Sequence, residues 1–218
     1  MLKKAVFING GPRKKGNTRQ LLEAAADGAS ELGVEVDFFD LYDLSFKGCS
    51  SCYACKLRDN AVTMCAMDDD LRPVLESIHT CDIVVIGSPI YWFEVTGEAR
   101  SFFERLLYPC ITYDHEPGSS TVSRFGRRIK VVLFFTMGVD EDMAHSMGLF
   151  DLFERYKGLL DNLLGDTEFR TSCNTLQFGD YSRYAARRFD ETAARERHNT
   201  VFQAECQAAK KLLIDLIP

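Results

Sequence analysis

Hydrophobic and polar positions along this chain switch repeatedly between two periods. Lys4 to Asn9 is a short apolar run, and from Thr18 to about Leu32 the residues Leu21, Leu22, Ala25, Ala29 and Leu32 recur at helical spacing until Gly33 stops them. Val34 to Phe39 alternates like a strand. A helix is expected after Asp68-Asp69-Asp70, read as its cap, with Leu71, Val74, Leu75 and Ile78 on one face. Ile83 to Gly87 is a continuous apolar run of the kind found in a central strand covered on both faces. Further elements follow in the same order: a helix over Gly97–Leu107, a buried strand over Lys130–Thr136, a helix over Leu149–Leu164, a last strand over Glu168–Phe178, and one long amphipathic helix from about Tyr184 to Leu216. Strands alternating with helices predict an α/β fold, a parallel sheet with helices on both faces, and ligands at the carboxyl ends of the strands.

The chain has 218 residues, enough for one domain over 1–218, with a cysteine-rich loop at about 45–67 and a long polar surface loop at about 110–128. A net charge of −6 speaks against nucleic acid as a partner, and no apolar stretch reaches membrane-spanning length. Met1 to Lys4 leads straight into a strand rather than into a signal-peptide pattern, so a soluble, cytoplasmic protein is expected. Eight cysteines in such a chain are read as reduced: Cys81, Cys110, Cys173 and Cys206 as small apolar residues, and Cys49, Cys52, Cys55 and Cys65 as a cluster.

Two loops carry candidate chemistry. Asn9-Gly10-Gly11-Pro12-Arg13-Lys14-Lys15-Gly16-Asn17-Thr18 joins the first strand to the first helix. Backbone N–H groups and a helix N-terminus meet there, which suits a phosphate; Arg13 adds a fork of donors, and Asn17 and Thr18 can cap the helix or donate to the anion. Neither the Walker A nor the G-x-G-x-x-G pattern is present, and an ordinary βα turn would also show caps and basic residues. The second loop, Gly87-Ser88-Pro89-Ile90-Tyr91-Trp92-Phe93, follows the third strand. Three consecutive aromatics there call for something flat and apolar, or for a packing partner. Together the loops describe a site for a mononucleotide with a large ring.

Gly11 to Thr18 resembles the phosphate loop of the flavodoxin-like NAD(P)H-dependent FMN reductases, Ser88-Pro89-Ile90-Tyr91 resembles their flavin-ring loop, and Gly97 to Arg105 matches the helix that follows. The resemblance spans roughly the first half of the chain. It implies a doubly wound sheet of strand order 2-1-3-4-5, bound FMN, and a homodimer across the flavin face. By position, Arg13, Asn17 and Thr18 would hold the phosphate, with backbone help from Gly11 and Gly16 and with Pro12 in the same cofactor-binding turn. Pro89, Ile90, Tyr91, Trp92 and Phe93 would line the isoalloxazine ring, with Thr136-Met137-Gly138 at its far edge. Gly11 departs from the family, where many members carry Ser. The implied reaction takes hydride from NADH or NADPH and reduces a small-molecule acceptor such as a quinone, nitro or azo compound, or free flavin. The flavin carries that chemistry, so no catalytic side chain is assigned, and His79, His115, His145 and His198 form no catalytic constellation.

Cys49-x2-Cys52-x2-Cys55-x9-Cys65 resembles the iron–sulfur flavoprotein branch of the same family, which implies ligands to a 4Fe-4S cluster. The nine-residue excursion is longer than the compact motif of that branch. A zinc site, a redox-active thiol pair, and reduced cysteines left from a cluster-binding ancestor remain open beside it. The functional alternatives are therefore an oxidoreductase, an electron carrier to a protein partner, and a flavin-fold binding or sensing module.

Overall fold

The computed structural model describes residues 4–58, 63–114 and 123–217. Five parallel strands form the sheet: β1 (Lys4–Asn9), β2 (Glu35–Asp40), β3 (Ile83–Tyr91), β5 (Lys130–Thr136) and β6 (Thr167–Ser172), in spatial order β2-β1-β3-β5-β6. A two-residue strand, β4 (Glu94–Val95), pairs antiparallel with the end of β3. Setting β4 aside, the winding is the expected 2-1-3-4-5.

The continuous apolar runs work because both faces of each central strand are covered. Val6, Ile8, Val84, Ile86, Val131, Leu133 and Phe135 face a layer made by α2 (Arg72–Thr80), α3 (Gly97–Leu107) and α5 (Leu149–Leu163). Their alternate neighbours Ala5, Phe7, Ile83, Val85, Val132 and Phe134 face α1 (Asn17–Glu31) and α7 (Val201–Leu216). Each large side chain buried this way contributes about 1.5–3 kcal/mol. Gly28 lets α1 and α7 touch, since a Cβ there would lie 2.5 Å from the Lys210 carbonyl oxygen.

Several expected boundaries differ. The helix after the three aspartates begins at Arg72 with Leu71 as its cap and no side-chain cap; Asp69 accepts instead from the Leu71 N–H at 3.2 Å. A short helix, α4 (Glu141–Ser146), capped by Asp140, precedes α5, and Gly148 at φ 71° turns the chain between them. The last strand stops at Ser172. The expected C-terminal helix is two, α6 (Glu191–Asn199) and α7, with a break at Thr200, whose hydroxyl donates to the Glu196 carbonyl. Residues 184–190 are not helical, because Phe178, Tyr181 and Phe189 gather in a small cluster of their own with Ala186 and Ala194. The surface loop expected at about 110–128 lies partly outside the described residues, as does His115. Among the described residues no helix is long and apolar enough to cross a membrane.

Candidate functional site

The carboxyl ends of β1, β3, β5 and β6 lie on one edge, in a register that sets Asn9 beside Gly87, Pro89 beside Thr136 and Thr136 beside Ser172. The turn after β1 is held from several sides. Its Gly10 N–H donates to Gly87 O at 2.7 Å, and the Thr96 hydroxyl donates to Gly10 O at 2.6 Å. A Cβ on Gly10 would come within 2.9 Å of the Ala99 Cβ, so glycine is required there for close approach. Asn9 folds over the turn, accepting from Gly11 N–H at 3.0 Å and donating to Gly11 O at 3.1 Å and to Asp40 at 2.7 Å. Burial works against ionisation of Asp40, but Arg19 and Asn9 outweigh it and hold its carboxyl below the ordinary carboxylate range.

Gly16 is the cap of α1 and receives no side-chain cap, so the first N–H groups of the helix have no partner from a capping side chain. The expectation that Asn17 or Thr18 caps the helix does not hold. Both lie within the first turn and are buried: Asn17 Nδ2 donates to Leu176 O at 3.0 Å, and the Thr18 and Thr136 hydroxyls pair at 2.7 Å. Arg13 Nη1 donates to Gln177 O at 2.8 Å, which leaves the rest of its fork available.

The loop after β3 is a hairpin. Ile90 pairs with Val95 and Tyr91 with Glu94, which leaves Trp92 and Phe93 as a two-residue tip with φ values of 50° and 66°. Both φ are positive, the pattern of a type I′ turn, which normally favours Asn-Gly; bulky aromatics there are strained by about 1–2 kcal/mol each. Trp92 is 92% exposed.

These segments enclose a cavity of about 320 Å³. Gly11, Pro12, Arg13, Gly16, Asn17, Thr18, Pro89, Ile90, Tyr91, Trp92, Phe93, Thr136, Met137 and Gly138 all line it. Sequence reasoning missed Val139, Met147, Leu149, Thr175, Gln177, Arg188 and Phe189. Thr175 and Gln177 follow the last strand at the same edge, so the rule that places ligands at strand carboxyl ends points to them. Arg188 and Phe189 carry no such signal. His145 and His198 stack on Phe150 and Phe202, His79 packs at a tilt against Phe125, and none of the three lines the cavity.

The cavity's chemistry fits FMN. One wall offers the open helix N-terminus and a guanidinium, and another an aromatic and apolar surface, so a phosphate and a flat ring each find a matching wall.

The cysteine loop lies apart, against α3. Cys49, Cys52, Cys55 and Cys65 all line one small cavity of about 20 Å³. The organiser is Arg105, 1% exposed. Its Nε donates to Cys65 Sγ at 3.3 Å, its Nη1 to Asp69 at 2.5 Å and Lys47 O at 3.1 Å, and its Nη2 to Met67 O at 3.3 Å. Burial opposes the charge on Arg105, but Asp69 and Cys65 outweigh it, and its pKa stays raised. Cys49 and Cys52 are exposed and Cys55 is buried. A backbone hydrogen bond from Ala54 holds the Cys52 thiol below its usual range, whereas burial pushes Cys55 up and Cys81 and Cys110 up to about 12. Four thiols on one cavity are the donors an iron–sulfur cluster wants, but the space suits about one water. Among the described residues no three of these groups are placed to hold a metal ion. Among the described residues the space between the four thiols is too small for a cluster.

Two iron–sulfur flavoproteins of Archaeoglobus fulgidus are similar to this chain. One is 38% identical over 102 residues, 47% of this chain and 48% of the relative. The other is 32% identical over 144 residues, 66% and 60% respectively. The match spans about half the length of the first of these curated relatives and three fifths of the second. Among solved structures, an NAD(P)H:quinone oxidoreductase from Methanothermobacter marburgensis superimposes with a TM-score of 0.72 at 17% identity, covering 99% of this chain and 100% of the other. That likeness is one of fold. The family model for NADPH-dependent FMN reductase matches residues 3–153, which include the Gly11–Thr18 turn, the Pro89–Phe93 hairpin, Thr136 and Gly138. The chain belongs to the NADPH-dependent FMN reductase family.

Proposed function

We propose that this chain is an FMN-dependent NAD(P)H oxidoreductase that reduces a small-molecule acceptor such as a quinone, nitro or azo compound, or free flavin. The observation that carries the reading is the convergence of the Gly11–Thr18 turn, the Pro89–Phe93 hairpin and Thr136–Gly138 on one cavity of about 320 Å³. FMN bound there would supply the redox chemistry, accepting hydride from the nicotinamide and passing electrons to the acceptor. The protein's part is binding and orientation. Arg13 and the first-turn N–H groups of α1 hold the phosphate. Pro89 to Phe93 orient the ring, and Met147, Leu149 and Val139 keep water from its apolar side. The exposed Tyr91-Trp92-Phe93 tip is the contact we assign to a second copy of the chain in a homodimer. The test is flavin identity together with turnover. Heat-released flavin should co-elute with FMN, and the protein should oxidise NADH or NADPH with a quinone as acceptor. FAD in place of FMN, or no flavin after reconstitution, would reject the reading.

A second reading, an iron–sulfur flavoprotein passing electrons to a protein partner, is supported by the four cysteines around one cavity and by the names of the two Archaeoglobus relatives. It requires the cysteine loop to open to admit the cluster. Iron and sulfide assays with an absorption spectrum on anaerobically handled protein test it.

A further inference from the structure

Among the described residues, two guanidinium groups, Arg13 and Arg188, line the cavity at the sheet edge and no carboxylate does. No ion pair joins Arg188 to a described carboxylate, and its guanidinium carbon lies over the Phe189 ring, 5.3 Å from the ring centroid. Both guanidinium groups are located by the same stretch of chain. Phe178 stacks on Tyr184 at 4.3 Å and meets Phe189 edge-on at 6.1 Å, and Tyr181 meets Phe189 at 6.3 Å. The Tyr181 hydroxyl accepts from the Gln177 N–H at 3.2 Å, and Gln177 O in turn receives Arg13. This aromatic cluster therefore fixes the carbonyl that aims Arg13 and, one residue from Phe189, the backbone that carries Arg188. It lies wholly beyond residues 3–153, the part of the chain matched by the family.

We propose that Arg188 is a second anion-holding residue of this cavity, closing with Arg13 on a phosphate monoester dianion seated on the Gly11–Thr18 turn. The inference rests on the flavin reading of the cavity. Two positive charges with no carboxylate in the cavity lining match a dianion, and a guanidinium can give a phosphate two parallel donors. Because the cation comes from the segment over 176–189, selection for FMN over riboflavin depends on a part of the chain distant from the turn in sequence.

The test compares FMN with riboflavin, which lacks the phosphate, by titrating flavin-stripped full-length protein and following fluorescence quenching. In Arg188→Gln, FMN affinity should fall about tenfold to a hundredfold, the scale of a charged hydrogen bond, with riboflavin affinity unchanged. Arg188→Lys should recover much of the preference for FMN, and both variants should melt where the wild type does. FMN affinity unchanged in Arg188→Gln would overturn the proposal. So would parallel loss of both flavins, which marks a structural role, or a raised KM for NADPH with FMN binding intact, which gives Arg188 to the dinucleotide. Wild-type protein that binds neither flavin would overturn the flavin reading itself, an outcome separate from these.

Discussion

The cavity at the carboxyl edge of the sheet and the cysteine loop beside α3 were both marked by short motifs, and they behave differently in three dimensions. The cavity draws its walls from segments some 80 and 125 residues beyond the first turn, yet strand register brings them together because each follows a buried parallel strand. The cysteines lie within 17 positions of one another, from Cys49 to Cys65, and still leave only about 20 Å³ between them. Rigid strands carry a site across long sequence distances. A loop whose described residues hold only one short helical turn, Ala54–Lys56, takes its shape from whatever anchors it, here a buried arginine and its carboxylate.

The sharpest way to break this comparison is Arg105→Met. Removing one partner of a buried pair strands Asp69 and the carbonyls of Lys47 and Met67, which should cost about 3–5 kcal/mol of stability. Below the melting transition, flavin binding should survive, because the cavity is built elsewhere. Calorimetry and flavin titration on one sample check both parts; flavin lost in step with the loop would mean that α3 couples the two regions.

Arg13→Ala comes next. It removes the donor to Gln177 O and the guanidinium at the phosphate turn, and FMN binding should weaken by about 1.5–3 kcal/mol. Riboflavin binding serves as the internal control, and equal weakening of both flavins would show that Arg13 acts through the turn's shape.

Smaller again is the hairpin tip. Trp92→Gly or Phe93→Gly relieves a left-handed residue, partly offset by glycine's extra freedom when unfolded, so stability should rise by about 0.5–1 kcal/mol. Flavin affinity should fall in the same variants, since both side chains line the cavity. A melting temperature that drops would show that the aromatics at these positions contribute more than the strain costs.

The smallest effects belong to the thiols. Cys52 is exposed and its pKa is lowered, so at neutral pH it holds more thiolate than an ordinary cysteine and should be alkylated first. As pH falls, its labelling should persist after that of unperturbed thiols has faded, while Cys55, Cys81 and Cys110 stay slow at neutral pH, their pKa values being raised. Mass-spectrometric mapping of the labelled sites gives the order. Replacing Cys52 and Cys55 by Ser should leave NAD(P)H-driven quinone reduction unchanged; its loss in a folded, flavin-bearing variant would favour the electron-carrier reading.

Much of this protein is determined by the sequence alone. The apolar runs of β1, β3 and β5 are legible because a strand covered on both faces has no polar side to show, and helical spacing marks α1 and α3 to within a residue. The turn after β1 and the aromatic loop after β3 are legible because glycines and consecutive aromatics stand out against that background. Only the tertiary structure decided the rest. Arg188 and Phe189 reach the cavity through packing among Phe178, Tyr181 and Phe189, a set of contacts with no period in the sequence. The break at Thr200 lies in a stretch whose pattern reads as one helix. Arg105 looks like any solvated helix cation until the fold buries it under the cysteine loop, because burial depends on what crosses a residue from elsewhere in the chain and not on its neighbours along it.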